Sequence, residues 1–164
     1  MKWASRAALA LLLTACDGIL VIKTGVFAGG SGNGIIIAYI NDVNWNASSV
    51  NARVDNGYVF VRGTSWDQFD QPTEIRLTLR TTVGSSAQLI ARGNDISAEI
   101  VRSDLGPAEV WTAGTTQGSG TLRLTTISAE HVEGTFEFVA QRVSSTSSPL
   151  AYRIARGTFN VPIQ

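Results

Sequence analysis

The chain is poor in the residues that form disulfides and hold metal ions. Its 164 residues include one cysteine and one histidine, which excludes a disulfide within the chain. A closed zinc site generally takes three or four Cys and His ligands, and this sequence cannot supply them. The fold must therefore rest on a hydrophobic core without covalent cross-links.

An excess of positive charge is also missing. The 13 basic side chains are balanced by 13 acidic ones, so the formal net charge is zero. Proteins that bind nucleic acid carry a basic surface that neutralises phosphates. The composition therefore argues against a nucleic-acid partner.

Helical periodicity is absent beyond the first residues of the chain. No later window sustains an apolar stripe at i, i+3 and i+4, and apolar residues instead alternate with polar ones. This alternation predicts strands with one buried face, as in antiparallel sheets. It is clearest at Ile75, Leu77 and Leu79, at Leu122 and Leu124, at Phe136 and Phe138, and at Phe159, Val161 and Ile163.

Turn residues separate these predicted strands. Asn56-Gly57 stands between two strand-like segments, Val50–Val54 and Tyr58–Gly63, and Asn-Gly supplies the positive φ angles of a tight hairpin turn. Similar turn signals recur along the rest of the chain. We therefore predict a single all-β domain over residues 35–164, an antiparallel β-sandwich or partly closed barrel of about eight to ten strands.

The first residues have the pattern of a secretory leader. Lys2 and Arg6 precede an apolar run, Ala7–Leu13, which is too short to span a bilayer of roughly 30 Å. The run ends in Leu13-Thr14-Ala15-Cys16, which resembles the lipobox of bacterial lipoprotein precursors. The resemblance implies that residues 1–15 are a cleaved signal peptide and that Cys16 is acylated, for example with palmitate.

The segment that follows Cys16 leaves alternatives open. An uncleaved anchor would extend through Ile19–Ile22, but the carboxylate of Asp17 opposes insertion in lipid. Residues 16–34 are read as an acylation site and glycine-rich tether, or alternatively as a first strand at 19–23 followed by a hairpin loop. An aspartate after the cysteine resembles an inner-membrane retention signal of some enteric bacteria, and the choice between inner and outer membrane stays open.

Two further motifs carry a resemblance to a known family. One is the stretch Ile40–Ala47, and the other is the repeated Gly-Thr-Phe step at 134–136 and 157–159. They resemble a family of uncharacterised single-domain bacterial β-rich lipoproteins that open with an Asn-Gly-x-x-Trp-x-Ala hairpin. Asp42 stands where that family prefers glycine. The resemblance implies a β-sandwich lipoprotein and carries no activity with it.

One polar, aromatic-rich loop holds the candidate site residues. They are Trp66, Asp67, Phe69 and Asp70, with Glu74 at the start of the next strand. Hard cations take oxygen ligands from flexible loops, so Asp67 and Asp70 could hold calcium. The spacing matches no EF-hand, however, and polar residues that solvate a turn are the favoured interpretation.

The aromatic residues of this loop have two interpretations. Trp66 and Phe69 either fold back as a lid on the core or form a stacking platform for a sugar or peptide. Burial of roughly 150 to 250 Å² for each aromatic side chain favours the lid. Trp45 and Trp111 lie in strand-like contexts and are predicted to pack in the core.

The remaining polar residues give little catalytic chemistry. His131 is predicted to face solvent at a hairpin bend. As a catalytic base it would need a positioned nucleophile, and the sequence has no recognisable nucleophile motif. A basic stripe of Arg76, Arg80 and Arg123 would form if their strands were neighbours, and it could then dock an anionic head group. We predict no catalytic residue, no metal and no cofactor.

These observations predict a lipid-anchored protein of the bacterial cell envelope. Its domain is expected to be a binding or structural module, attached to the membrane through Cys16, with an envelope protein or glycan as candidate partner. An accessory subunit of an envelope complex is the alternative. A glycan or lipid hydrolase is the weakest of the three hypotheses, because no pair of carboxylates or nucleophile is recognisable.

Overall fold

The structure, a computed structural model, describes most of the chain beyond its first residues. The described ranges are 34–66, 72–84, 86–103, 107–114, 116–142 and 149–164. The predicted signal peptide, Cys16 and the predicted strand at 19–23 lie outside them. So do Asp67, Phe69 and Asp70, and the predictions made for these residues remain predictions.

The described residues form eleven antiparallel strands and contain no helix. The strands are β1 (Ile35–Ile40), β2 (Val43–Asn46), β3 (Ser49–Asp55), β4 (Tyr58–Trp66), β5 (Pro72–Arg80), β6 (Gln88–Ile90), β7 (Ser97–Arg102), β8 (Glu109–Ala113), β9 (Ser119–Ile127), β10 (His131–Arg142) and β11 (Ala151–Pro162).

Nine of these strands form a strongly curled half-barrel in the order β2-β1-β11-β10-β8-β7-β5-β4-β3. Strand β9 pairs with β10, and β6 pairs with β9, as a branch beside this path. The prediction of an all-β antiparallel domain is confirmed, and of its two alternatives, a sandwich or a partly closed barrel, the structure corresponds to the second. The structure has more strands than predicted because β2 and β6, with four and three residues, are too short to show a clear alternation.

The two ends of the half-barrel are joined where the chain passes directly from β2 to β3. The chain leaves β1 and joins β4 at Ala47-Ser48: Ala47 N donates a hydrogen bond to Ile36 O at 2.9 Å, and Ser48 N donates one to Thr64 O at 2.8 Å. One continuous segment, β2 followed by β3, therefore forms both ends of the strand order. Gly63 on β4 keeps this junction tight, because a Cβ there would lie 2.8 Å from the Ile36 side chain.

Two hairpins turn through pairs of residues with positive φ. Asn56 and Gly57, with φ angles of 49° and 82°, connect β3 to β4 and confirm the predicted turn. Asn41 and Asp42, with φ angles of 47° and 66°, connect β1 to β2 in the same way. The left-handed backbone at Asp42 explains the glycine preference of the resembling family, since glycine adopts this conformation without steric cost.

Replacing Asp42 with glycine should stabilise the domain by up to about 1 kcal/mol. Only a weak interaction is lost, because the Arg153 guanidinium lies 3.5 Å from the Asp42 carboxylate in a surface ion pair. Urea unfolding followed by circular dichroism measures the change. Asp55→Gly, at the end of extended strand β3, is the matched control and should lower stability. A decrease for Asp42→Gly as large as that of the control would contradict the interpretation.

The core lies on the concave face of the curled sheet. The alternation seen in the sequence places its apolar residues there as predicted, although Ile163 is only partly buried. Trp45 and Trp111, 6% and 1% exposed, confirm the prediction that they pack in the core.

The two Gly-Thr-Phe steps face each other on β10 and β11. Gly134 pairs with Phe159, and Phe136 pairs with Gly157, so each phenylalanine covers the glycine of the other step. A Cβ added at either glycine would lie 2.4 Å from the facing ring. The repeated motif is therefore one packing unit made of two cross-strand pairs.

Candidate functional site

A groove on the solvent face of β3, β4, β5 and β7 carries a network of ion pairs that joins Arg62, Arg76, Glu74 and Glu99. Its volume is about 480 Å³. Arg62, Arg76 and Glu99 follow one another across three strands in register. The guanidinium of Arg53 lies 4.4 Å from the centre of the Phe60 ring. Arg53, Arg62 and Arg76 line the groove with one carboxylate side chain among the described residues, that of Glu99.

Glu74 is the centre of this network. Its side chain accepts a hydrogen bond from Arg62 at 2.6 Å and another from Arg76. Glu74 is 7% exposed and pairs with Thr64, whereas Trp66 pairs with Pro72. The hydrogen bond to Glu74 raises the pKa of Arg76. Two guanidinium groups thus occupy both of its carboxylate oxygens. The loop at 67–71 lies outside the described residues, so the grouping of Glu74 with that loop remains a prediction.

The predicted basic stripe does not form. Arg123 lies on β9, which pairs with β10 and β6, whereas Arg76 and Arg80 lie on β5 between β4 and β7. Arg80 instead pairs with Asp95 at 3.0 Å, and Tyr58 donates a hydrogen bond to the same carboxylate at 2.8 Å. The hydrogen bond from Tyr58, followed by that from Arg80, lowers the pKa of Asp95. The stabilisation from this pairing is therefore lost as the pH falls through the folded-state pKa.

A second cavity, the end cavity, lies between the β1–β2 hairpin and the ends of β4, β5 and β7. Its volume is about 490 Å³. The start of β11 contributes one further side chain. The described lining residues are Ile40, Asn41, Val43, Asn44, Trp45, Asn46, Ser65, Trp66, Thr73, Ile100, Arg102 and Tyr152.

Trp66 stands exposed at the end cavity. It is 65% exposed, so the prediction that it folds back as a lid was wrong. The reason is that Trp45 already packs over the β4 backbone at this end: a Cβ on Gly63 would lie 3.2 Å from its ring. Trp66 therefore presents a large aromatic ring to solvent at the edge of the end cavity.

The polar groups of the end cavity are mostly neutral. The indole Nε1 of Trp45 is buried and has no hydrogen-bond partner among the described residues. The side-chain amides of Asn44 and Asn46 form no hydrogen bond within the described part of the chain either. Arg102 donates a hydrogen bond to the Tyr152 hydroxyl at 3.0 Å. No carboxylate occurs among the described lining residues.

An unpartnered buried N–H is rare in proteins and calls for an explanation. The Trp45 indole costs free energy while it stays buried without an acceptor. Trp45 is among the lining residues of the end cavity, so a ligand that displaced its neighbours far enough to reach Nε1 would supply that acceptor. The geometry therefore suits a ligand that brings acceptors to Trp45 and a flat apolar face to Trp66.

Most of this site was missed by the sequence reasoning, which identified Trp66 alone. Trp45 was assigned to the core, and Arg102 and Tyr152 were not singled out. The available signal was local: Asn44 and Asn46 flank Trp45 on β2, so two amides alternate with one buried indole. Nothing in the sequence indicates that Arg102 and Tyr152 come to the same place.

His131 lies where the sequence predicts. It begins β10 just after the bend from β9, and its Nδ1 is 3.1 Å from the Ser128 hydroxyl. Its side chain is 39% exposed. The described part of the chain contains no group of three His, Cys, Asp or Glu side chains placed to hold a metal ion. Within the same ranges, no helix has the length and hydropathy needed to cross a bilayer.

The fold and the end cavity define an all-β half-barrel domain with a cavity at one end that is bordered by an exposed tryptophan. The chain belongs to the family described as Domain of unknown function (DUF6252), which matches residues 32–162. A search of curated proteins gave no match, and a search of solved structures gave none either. The match covers every described strand.

Proposed function

We propose that this protein is a lipid-anchored bacterial envelope protein whose half-barrel domain binds a ligand in the end cavity. The binding role is proposed because the lining of the end cavity includes both an exposed ring, that of Trp66, and a tryptophan whose buried indole N–H has no partner among the described residues, Trp45. The proposed role is binding rather than catalysis. The described lining residues include hydroxyls at Ser65 and Thr73, but no His or carboxylate that could act as their base.

The lipid anchor is proposed from the sequence of the first residues. Leu13-Thr14-Ala15-Cys16 resembles a lipobox, and Cys16 is the one cysteine in the chain. The first described strand begins at Ile35.

Replacing Cys16 with serine tests the anchor. In bacteria fed a labelled fatty acid, we expect the unaltered chain to carry the label and to fractionate with membranes. Cys16→Ser should lose the label and keep its leader, because the acylated thiol is the proposed signal for cleavage. Ser31→Ala, which keeps the cysteine, is the control. Label on Cys16→Ser, or an unlabelled native chain, would refute the anchor.

Thermal unfolding tests whether the end cavity binds a ligand. The intact chain, purified in detergent, is screened against sugars, amino acids, nucleotides and fatty acids. A ligand that binds only the folded state raises the midpoint temperature of unfolding. At a ligand concentration of 100 times the Kd, the folded state gains about 2.7 kcal/mol of stability. We expect at least one class to raise the midpoint of the unaltered chain and not that of Trp66→Ala. An equal midpoint shift in the unaltered chain and in Trp66→Ala would show that the ligand binds outside the end cavity.

An exposed apolar stripe favours the accessory-subunit role as a second candidate. Ile35, Ile37 and Tyr39 face solvent on β1 and are 48%, 39% and 38% exposed. Apolar side chains in such a row are typical of surfaces that contact another protein. Two mutations distinguish the accessory-subunit role from ligand binding in the end cavity. Ile37→Lys should disrupt a protein partner and leave cavity binding intact, and Trp66→Ala should do the reverse.

A further inference from the structure

We infer that the ligand of the end cavity is a saccharide. This inference rests on the proposed binding function of the cavity and adds the chemical class of the ligand. Three features of the described lining support it: an exposed indole face, a set of neutral hydrogen-bonding groups, and the absence of carboxylates among them.

The exposed ring of Trp66 is suited to the apolar face of a sugar ring. The face of an aromatic ring carries partial negative charge and attracts the partially positive C–H groups of a sugar. Trp66 is the last residue of β4, so the paired strands behind it fix its backbone. Stacking of a ligand therefore orders only the side-chain torsions of Trp66 and not its backbone.

The neutral polar groups match the hydroxyl groups of a saccharide. A hydroxyl accepts and donates hydrogen bonds, and the cavity offers both kinds of partner. The Trp45 indole supplies a donor without an acceptor. Each amide of Asn44 and Asn46 supplies a donor and an acceptor, and neither is used within the described residues. The two amides point to the opposite face of β2 from the Trp45 indole, so a saccharide at the mouth of the cavity would use the amides, which no described residue binds.

The charges of the end cavity disfavour a cationic ligand. Arg102 is its charged side chain among the described lining residues, and this guanidinium bonds to the Tyr152 hydroxyl. A cationic ligand would find no carboxylate there to pair with. The preferred saccharides are therefore neutral or acidic.

The size of the cavity agrees with this class. Its volume of about 490 Å³ lies within the usual range of roughly 300 to 1,000 Å³ for small-ligand sites. The exposed position of Trp66 also places the stacking surface in reach of a longer chain. The site thus suits a mono- or disaccharide unit, free or at the end of a glycan.

Isothermal titration of the intact chain in detergent tests the inference. The probes are chitobiose, cellobiose, maltose and lactose, with a dipeptide and a nucleotide as non-sugar probes. We expect at least one disaccharide to bind. Trp66→Ala should weaken that binding by about tenfold or more, through loss of the stacking surface. Trp66→Phe should restore part of the affinity.

Leu89→Ala is the matched control, because Leu89 is 63% exposed on β6 and lies outside the cavity lining. The Leu89→Ala variant should bind the disaccharide with the same affinity as the unaltered chain. Circular dichroism checks that every variant is folded. Failure of all four disaccharides to bind overturns the saccharide inference. Binding of the dipeptide or nucleotide alone, lost in Trp66→Ala, overturns it while the cavity keeps its binding role. Unchanged disaccharide affinity in Trp66→Ala overturns it as well.

Discussion

Replacing Gly157 with valine should destabilise the domain by about 3 kcal/mol. A Cβ at this position would lie 2.4 Å from the Phe136 ring, which real Cβ atoms do not tolerate. The ring cannot move away freely, since Phe136 is 1% exposed and its centre lies 6.4 Å from that of Phe159. Urea unfolding measures the loss as a lower midpoint.

The neighbouring Thr158→Val variant is the control, because Thr158 lies on the opposite face of β11 and is partly exposed. Its stability should change by less than about 0.5 kcal/mol. A double-mutant cycle adds a sharper test. Gly157→Ala should cost much less when Phe136 is already alanine, because the clash is then gone. Equal costs in both backgrounds would show that the ring does not impose the glycine.

Replacing Trp111 with alanine should cost about 3 to 5 kcal/mol. Trp111 is 1% exposed, and its indole Nε1 donates a hydrogen bond to Pro149 O at 2.9 Å. Its ring meets Tyr152 edge-on with 4.8 Å between centres. The Arg142 guanidinium lies 5.2 Å from the same ring. Truncation would therefore leave a cavity and an unpaired carbonyl between β8 and β11.

The exposed residue Trp66 provides a matched tryptophan control for this change. Trp66→Ala should alter the free energy of unfolding by less than about 0.5 kcal/mol, because the ring is already 65% in solvent. Chemical unfolding followed by circular dichroism compares the two variants without relying on tryptophan emission. A loss at Trp66 as large as that at Trp111 would contradict the assignment of Trp66 to the surface.

The strands and turns were predictable because their signals are local. Alternation placed Leu77 and Phe136 on the buried face, and Asn56-Gly57 fixed a hairpin through its positive φ angles. The order of the strands was not predictable, because it depends on pairings between distant segments. The stripe that included Arg123 failed for this reason: its strand pairs with β10 and β6 instead of β5.

The candidate site depends even more on distant pairings. Asn44, Arg102 and Tyr152 line one cavity only because the curled sheet brings β2, β7 and β11 to the same end. The lid prediction for Trp66 failed for a related reason, since Trp45 from another strand already packs over β4 there. Glu74 was predicted at the start of a strand, but its two arginine partners were not predictable, because the register of β4 and β5 brings them together.

The most direct test of the end cavity as a binding site is whether the Trp45 indole N–H gains a hydrogen bond when a ligand is added. Nuclear magnetic resonance resolves the indole N–H of each tryptophan in the ¹⁵N-labelled intact chain. With a bound disaccharide, we expect the Trp45 indole signal to shift and its exchange with solvent to slow, while the Trp111 signal stays in place. A disaccharide that binds and leaves the Trp45 signal unchanged would contradict the proposed site.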